Sequence, residues 1–286
     1  MPEQLVWFVT GCSSGFGQQF IKQALERGDK AIATARNADT LKELADLGAA
    51  TMQLDVTVPM SEIQKKVRDA IKIYGRIDVC VANAGYTKVA AAEDFGNNNE
   101  DLLKMIQTNT IGNWNVVCAI APHWRERKSG FLVYNSSMAA WWHNTPGLGG
   151  YAATKAALDR LVEHFRLEAT PFGVKVLVIH PGYCRTEIAN PTKHDLSGTF
   201  QDYEALGNFW KEFTPKLHGG QPGDATKAVR LMIDVVRGEG VAEGKEAPPF
   251  LPVGSDAFAD IKAKSELTMK ILDEWESAIK SIDVAS

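Results

Sequence analysis

Tyr151 and Lys155 are the two side chains whose types and spacing best suit acid–base chemistry. They stand four positions apart in the run YAATK, so a helix over this run places them on one face. An ammonium group stabilises a neighbouring phenolate, and we therefore expect Lys155 to lower the pKa of Tyr151 from about 10 toward neutral pH. A tyrosine tuned in this way serves as a general acid or base. The spacing alone arises often by chance, so the surrounding sequence decides what it means.

A glycine-rich turn near the start of the chain has the features of a phosphate site. It reads TGCSSGFG from Thr10 to Gly17, directly after an apolar run and before a helical pattern. Glycines let the backbone approach a pyrophosphate, and the amides at a helix N-terminus attract the anion. The glycine spacing differs from the more familiar dinucleotide fingerprint, and a plain tight turn is the alternative. The residues predicted to bind the cofactor phosphates here are Gly11, Ser13, Ser14, Gly15, Phe16 and Gly17.

Arg36 indicates which dinucleotide the turn would bind. In folds of this kind an acidic residue about 20 positions after the glycines holds the ribose hydroxyls of NAD, whereas an arginine accommodates the 2′-phosphate of NADP. Arg36 lies 19 positions after Gly17, and its neighbour is Ala35 rather than an acid. We therefore predict NADP(H) as the cofactor. The alternative is a solvated arginine at the end of a strand.

Short β-branched runs alternate with longer helical patterns along the chain, which predicts βαβ units. Strands are expected at 5–9, 31–34, 51–54, 77–81, 131–134 and 174–179, and helices at 16–27, 61–74, 98–125, 151–169, 224–237 and 256–279. The predicted fold class is α/β, a doubly wound parallel sheet of Rossmann type with helices on both faces. We predict a single domain, with a cofactor-binding half at about 1–130, a catalytic and substrate-loop half at about 131–286, and a C-terminal helix.

Composition and charge exclude several other classes of protein. The chain has 286 residues, a formal net charge of −4 and 45% hydrophobic residues, as in ordinary soluble proteins. Dense lysine and arginine clusters and long apolar runs are missing, so neither nucleic acid nor a membrane is an expected partner. The N-terminus lacks the pattern of a secretory signal, and a cytoplasmic location is expected. The four cysteines are spread without metal-ligand spacing, which predicts reduced thiols and no metal site.

Several further motifs, found in order along the chain, support a catalytic role for Tyr151 and Lys155. The sequence resembles the short-chain dehydrogenase/reductase family, in its shorter cytosolic type, over about residues 5–240. The motifs that carry the resemblance are TGxxxGxG at Thr10 to Gly17, Asp55-Val56, Asn83-Ala84-Gly85, Asn109, Ser136-Ser137, YxxxK at Tyr151 to Lys155, and Pro181-Gly182 followed by Thr186. The resemblance implies hydride transfer between a nicotinamide cofactor and a carbonyl or alcohol.

The resemblance also implies a role for each matching residue. Tyr151 would exchange a proton with the substrate oxygen, and Lys155 would lower its pKa and hold the nicotinamide ribose. Ser137 would hydrogen-bond the substrate oxygen, and Asn109 would interrupt its helix and hold a water that links Lys155 to solvent. The implied cofactor contacts are Asp55 and Val56 at the adenine, Asn83, Ala84 and Gly85 beneath the cofactor, and Pro181, Gly182, Cys184 and Thr186 at the nicotinamide end.

The serine assignment rests on an inferred insertion. In most relatives the serine precedes the tyrosine by 13 residues, whereas Ser137 precedes Tyr151 by 14. We attribute the extra residue to the loop at 141–150. Ser136 is the alternative, although neighbours on an extended strand face opposite ways.

Aromatic residues suggest the kind of substrate. Trp141, Trp142 and Tyr183 are the predicted substrate residues, and residues 183–220 form an irregular aromatic stretch that we predict to be a mobile lid. The alternative for each aromatic residue is that it packs the loop onto the sheet instead of contacting the substrate. His143 is either a residue at the rim of the site or a second acid. Family members pair through the two long helices, which implies a homodimer or homotetramer.

The predicted function is an NADP(H)-dependent carbonyl reductase or alcohol dehydrogenase for a bulky, apolar or aromatic ketone or aldehyde. One alternative keeps the fold but catalyses a cofactor-assisted isomerisation, dehydration or cyclisation. The other is a non-catalytic protein that senses the cofactor. Net consumption of NADPH separates the first reading from both alternatives.

Overall fold

A seven-stranded parallel sheet forms the centre of the molecule. The computed structural model describes residues 4–97, 99–141, 145–190, 196, 199–200 and 202–284. The strands are β1 (Val6–Val9), β2 (Lys30–Ala35), β3 (Ala50–Gln53), β4 (Val79–Ala82), β5 (Gly130–Asn135), β6 (Val174–Pro181) and β7 (Phe250–Val253). Their order is β3-β2-β1-β4-β5-β6-β7, with every neighbouring pair parallel. The predicted doubly wound fold is confirmed.

Helices cover both faces of the sheet. They are α1 (Gly15–Glu26), α2 (Lys42–Asp46), α3 (Met60–Tyr74), α4 (Asp94–Asn97), α5 (Glu100–Ile106), α6 (Asn113–Arg127), α7 (Gly149–Ala169), α8 (Glu204–Leu217), α9 (Ala225–Arg237) and α10 (Ser255–Lys280). A π-helical segment, Gln107–Gly112, joins α5 to α6. None of the helices in the described ranges is long and apolar enough to cross a membrane.

Two apolar layers hold these helices to the sheet. On one face α1 and α9 pack through Phe20, Ile21 and Met232, and on the other α3, α6 and α7 pack through side chains such as Val67 and Leu158. The central strands are buried on both sides, which is why they read as continuous apolar runs without alternation. The sheet is therefore a rigid base for the loops at its edge.

Three features differ from the expected elements. β7 was not predicted, because Pro252 and its neighbouring prolines are typical of a loop. β7 lies at the edge of the sheet beside β6, and an edge strand tolerates proline. α8 forms inside the stretch expected to be irregular, although it contains Gly207 and Pro215, which disfavour helices. The single long helix expected at 98–125 is divided by the π-helical segment.

Candidate active site

A cavity lies at the carboxyl ends of β1 and β4, where the strand order reverses direction. Open α/β sheets bind ligands at this point. The cavity has a volume of about 480 Å³. The predicted site residues that line it are Gly11, Ser13, Ser14, Gly15, Phe16, Arg36, Asp55, Val56, Asn83, Ala84, Gly85, Ser137 and its alternative Ser136, Tyr151, Lys155, Pro181, Gly182, Tyr183, Cys184 and Thr186. Residues far apart in the sequence thus meet in one space.

The glycine turn needs its glycines for the backbone to close. Gly11 and Gly15 have φ angles of 70° and 60°, which side chains disfavour. A Cβ atom on Gly17 would overlap the Gly11 carbonyl oxygen and lie 2.8 Å from Nδ2 of Asn83. Ser14 precedes α1 without capping it through its side chain, and the first turn carries no acidic residue. The amides at this helix end are therefore suited to an anion.

Thr10 joins the glycine turn to the end of β4. Its buried Oγ1 accepts hydrogen bonds from the backbone N–H groups of Asn83 at 2.9 Å and Ala84 at 3.0 Å. In return, Nδ2 of Asn83 donates to the Thr10 carbonyl at 2.8 Å. The two motifs that the sequence suggested separately form one hydrogen-bonded unit.

Arg36 and Asp55 lie at the adjoining end of the cavity. Arg36 is exposed at the end of β2, and its guanidinium has no ion-pair partner within the described ranges. The Asp55 carboxylate accepts hydrogen bonds from the N–H and hydroxyl of Thr57 at 2.9 and 2.7 Å. The Asp55 carboxylate is thus hydrogen-bonded to Thr57, whereas the Arg36 guanidinium can bind an anion.

Tyr151 and Lys155 lie side by side on α7, and both are buried. Nζ of Lys155 donates to the Asn135 carbonyl at 2.8 Å and lies 5.9 Å from the centre of the Tyr151 ring. The Ser137 hydroxyl faces the Tyr151 phenol, whereas Ser136 faces Tyr134 on the opposite side of the strand. The geometry favours Ser137 over Ser136 as the partner of Tyr151.

Burial controls the proton affinities of this pair. It raises the pKa of Tyr151 to about 12, which the hydrogen bond from Ser137 partly offsets and the charge of Asp159 reinforces. It lowers the pKa of Lys155 to about 8, against the opposing effect of Asp159. The expectation of a lowered Tyr151 pKa is wrong, because burial disfavours the phenolate by more than the hydrogen bond from Ser137 favours it. Tyr151 is a protonated phenol at neutral pH.

Asn109 lies in the π-helical segment, behind the cavity wall rather than in it. Its Nδ2 donates to the Tyr86 carbonyl at 2.8 Å and to Oγ1 of Thr154 at 3.0 Å, and its Oδ1 accepts from the Tyr86 N–H at 3.0 Å. The expected interruption of the helix is present. The amide fixes the loop after β4 beside Lys155, and its part in a proton path stays a prediction.

Comparisons with known proteins agree with this geometry. The family model described as short chain dehydrogenase matches residues 5–197. The chain belongs to the short-chain dehydrogenase family. Oxidoreductase BOA17 of Botryotinia fuckeliana is 30% identical over 274 residues, which cover 94% of this chain and 96% of that one.

Solved structures of the family share the same architecture. A short-chain dehydrogenase from Streptomyces avermitilis is 31% identical, with a TM-score of 0.85 over 98% of this chain and 99% of that one. A family member from Burkholderia phymatum, solved in complex with NAD, has a TM-score of 0.75 over 93% and 96% of the two chains at 19% identity. At 19% identity, the likeness to the Burkholderia phymatum structure concerns the fold alone.

In this short-chain dehydrogenase α8 covers the catalytic end of the cavity. Trp210 is buried, lines the cavity and donates from Nε1 to the Pro146 carbonyl at 3.1 Å. Phe213 packs against Trp210 at 5.6 Å and against Tyr183 at 6.4 Å between ring centres. Within the aromatic stretch noted in the sequence, Glu204–Leu217 is therefore a helix whose Trp210 packs in one apolar cluster with Tyr151. The predicted mobility of the stretch stays a prediction.

Trp141 does not join the cavity. Its indole donates to Nε2 of His180 at 3.2 Å and packs against Phe250 of β7 with 5.7 Å between ring centres. The chain turns after Ser137 so that Trp141 covers the sheet edge, which corrects the prediction of a substrate contact. Trp142 and His143 lie outside the described residues.

Two groups of residues near the cavity were not predicted from the sequence. Thr214 and Leu217 of α8 line the cavity at helical spacing with Trp210 of the predicted aromatic stretch, a pattern that Gly207 and Pro215 concealed. Asp256 at the start of α10 accepts a hydrogen bond from the Tyr183 N–H at 2.7 Å, and a Cβ on Gly182 would overlap its carboxylate. Further lining residues that were not predicted are Tyr86, Thr87, Val89, Thr108, Asn135, Met138, Leu148, Glu187, Ile188 and Gln221.

Proposed function

We propose that this short-chain dehydrogenase is an NADP(H)-dependent oxidoreductase that interconverts a bulky apolar carbonyl compound and its alcohol. One observation carries the proposal: a single cavity joins the buried Tyr151 phenol to the glycine turn and to Arg36. The phenol is a proton donor, the turn is suited to a pyrophosphate, and Arg36 is suited to a further phosphate.

The residues of the cavity fit a nicotinamide dinucleotide. The backbone at Gly11 and Gly17 leaves no room for a Cβ atom, as close approach to a pyrophosphate requires. Arg36 would hold the 2′-phosphate, and Asp55 and Val56 would contact the adenine. Residues 83–85 would lie beneath the cofactor. Pro181, Gly182, Cys184 and Thr186 would hold the nicotinamide end. When bound, the cofactor supplies or accepts a hydride.

The chain itself supplies the proton and the charge. Tyr151 donates its phenol proton to the substrate oxygen during reduction and receives it back during oxidation. The Ser137 hydroxyl donates a hydrogen bond to the same oxygen and stabilises its developing negative charge. The Lys155 ammonium, held by the Asn135 carbonyl, stabilises the phenolate that remains.

Apolar side chains suggest the class of substrate. Val89, Met138, Leu148 and Trp210 line the cavity that holds Tyr151. Such a wall favours an apolar or aromatic ketone or aldehyde, because polar groups would lose hydration there without gaining partners. We further propose a cytoplasmic enzyme that forms a homodimer or homotetramer through its long helices.

The proton-transfer role is tested with Tyr151→Phe. Wild-type protein is screened with NADPH against diverse carbonyl compounds, and the variant is assayed with the best one. We expect kcat to fall at least about a hundredfold, the lower range for general acid catalysis, with NADPH affinity nearly unchanged. Normal turnover by the variant would refute the mechanism. Product formation without net loss of NADPH would point to isomerisation, dehydration or cyclisation instead.

The cofactor preference is tested with Arg36→Ala. A lost charge-assisted hydrogen bond is worth about 1.5–3 kcal/mol, so NADPH affinity should fall roughly tenfold or more. NADH has no 2′-phosphate, and its affinity should change less than about twofold. Equal losses for the two cofactors would refute a 2′-phosphate role. Both affinities are measured by titration of the purified protein.

A further inference from the structure

A buried Asp159–His180 pair lies directly behind Lys155. Asp159 follows Lys155 by four positions and Tyr151 by eight on α7, so all three lie on one face of the helix. Asp159 is 2% exposed and His180, on β6, is 1% exposed. Oδ2 of Asp159 and Nε2 of His180 are 2.8 Å apart. Neither residue lines the cavity, and neither has a part in the mechanism above.

The contacts of His180 allow two arrangements of its protons. Nε1 of Trp141 lies 3.2 Å from the same Nε2 that contacts Asp159, and an indole N–H can only donate. In one arrangement Nε2 carries a proton and donates it to an anionic Asp159. In the other Nε2 accepts from Trp141. The two arrangements differ in which neighbour of the ring Nε2 serves.

Two polar atoms of this pair lack partners. Oδ1 of Asp159 and Nδ1 of His180 are buried and have no hydrogen-bond partner in the described part of the chain. Asn135 lies opposite Ile179 in the β5–β6 register, so Tyr134, Ser136 and His180 share the sheet face beneath α7. Buried polar groups without partners are costly, so this pair needs a physical reason beyond packing.

Asp159 is the carboxylate that acts on Lys155. From its own helix Lys155 faces Tyr151 and Asp159. From β5 it faces the Asn135 carbonyl and the Tyr134 ring, whose centre lies 5.4 Å from Nζ. The loop after β4 offers the neutral backbone of Gly85, and β6 offers His180 only behind Asp159. Within the described ranges, the charge of Asp159 is the one that offsets the burial of Lys155.

We propose that Asp159, held by His180, is a positioning residue that keeps Lys155 charged inside the apolar site. Nε2 of His180 lies between the Asp159 carboxylate and the Trp141 indole, so both contacts fix the ring that holds Asp159. The role rests on the proposed function, because a charged Lys155 matters only where Tyr151 gives up a proton. It also explains why Trp141 turns away from the cavity.

The first experiment compares pH profiles of kcat/KM for wild type and Asp159→Asn. The amide keeps the shape of the side chain and removes its charge, so Lys155 should lose its proton at lower pH. A nearby opposite charge shifts a pKa by about 1 unit or more, so the alkaline limb should move down by about 1 pH unit. A purely structural role would lower kcat/KM equally at every pH. A limb at the wild-type position would overturn the proposal.

Two substitutions at His180 give a matched comparison. His180→Gln keeps an N–H group for Asp159, so the alkaline limb should stay at its wild-type position. His180→Leu leaves a buried carboxylate without a partner, which takes up a proton, so the limb should move as in Asp159→Asn. The double variant, Asp159→Asn with His180→Leu, should move the alkaline limb no further than either single variant. The reason is that both changes remove the same negative charge, that of Asp159. An alkaline limb at the same pH in His180→Gln and His180→Leu would overturn the proposal, even where Asp159→Asn fails to fold.

A titration without turnover separates this inference from the proposed reaction. The ε-carbons of lysine are labelled with ¹³C, and the Lys155 signal is assigned by its loss in Lys155→Met. The wild-type signal should titrate near pH 8, and the signal in Asp159→Asn should titrate about 1 unit lower. This measurement stands whether or not carbonyl reduction is found. An unmoved midpoint would overturn the proposal.

Discussion

At Tyr151 the hydrogen bond from Ser137 and the burial of the ring act on the pKa of the phenol in opposite directions. The spacing of Tyr151 and Lys155 correctly predicts two side chains on one helix face. It carries no information on how dry that face is, and burial raises the pKa of Tyr151 while it lowers that of Lys155. The spacing of residues in a sequence indicates which side chains come together. It does not indicate how well they are solvated, and solvation sets their pKa.

The two pKa values predict the pH dependence of carbonyl reduction. Lys155 is charged below its pKa, which burial lowers from 10.5 to about 8, so its charge is lost as the pH rises through about 8. Tyr151 keeps its proton throughout this range, because its pKa is raised to about 12. We therefore expect kcat/KM to fall above about pH 8, measured as NADPH consumption at a series of pH values.

Lys155→Arg is the control for this profile. A guanidinium stays charged at every accessible pH, so the alkaline limb should disappear even if the overall rate drops. A limb that persists near pH 8 in this variant would assign the titration to another group. For the serine, alternation along the strand favoured Ser137 over Ser136, and the Ser137 hydroxyl faces Tyr151.

At the scale of the element, the glycine turn is the part of the site that the sequence predicted most fully. Each glycine has a local reason that its type reveals: a positive φ at Gly11 and Gly15, and contact with the backbone of Gly11 at Gly17. β7 and α8 were missed because their prolines and glycine are typical of loops. In both cases packing against a neighbouring element outweighs the local preference.

Gly17→Ala should impair cofactor binding. The added Cβ overlaps the Gly11 carbonyl oxygen, so the turn must shift away from the geometry that admits a pyrophosphate. We expect NADPH affinity to fall at least about tenfold and the melting temperature to drop by several degrees, as for a backbone shift of about 1–3 kcal/mol. Gly149→Ala, in the first turn of α7 with open space around it, is the matched control. Equal affinity in the two variants would contradict this account.

Trp210 should determine how well the carbonyl substrate binds. It is the buried aromatic of α8 that lines the cavity, whereas the adjacent Phe209 is 50% exposed. Trp210→Ala removes a large apolar surface, so KM for the carbonyl substrate should rise about tenfold or more while NADPH affinity stays the same. Phe209→Ala should change KM less than about twofold. An unchanged KM in Trp210→Ala would place the substrate elsewhere in the cavity.

At the scale of the molecule, the parallel sheet explains why separate motifs become one site. Thr10, Asn83, Ser137 and Gly182 each follow a different strand, and parallel strands present their carboxyl ends at the same edge. Alternating strand and helix patterns were enough to predict this convergence. The direction of Trp141 and the contact of Asp256 with Tyr183 depend on loop paths, which periodicity does not reveal.

The proposed oligomer needs apolar surface on the long helices, and the structure has it. Leu161 and Leu167 of α7 are 38% and 62% exposed, and Leu103 of the adjoining α5 is 56% exposed. Apolar patches of this kind are typical of interfaces between subunits. A tetramer needs a second, different surface. Exposed Leu272, Trp275 and Ile279 on α10 offer one.

Charges placed on α7 should separate the subunits. In the double variant Leu161→Asp with Leu167→Asp, two buried carboxylates would face apolar side chains across the interface, and their loss of hydration should release monomers. Leu47→Asp is the matched control, because Leu47 is 54% exposed at the end of α2, away from the long helices. Sedimentation velocity measures the mass of each species. A double variant with the mass of the wild type would exclude α7 from the interface, and Trp275→Asp would then test α10 in the same way.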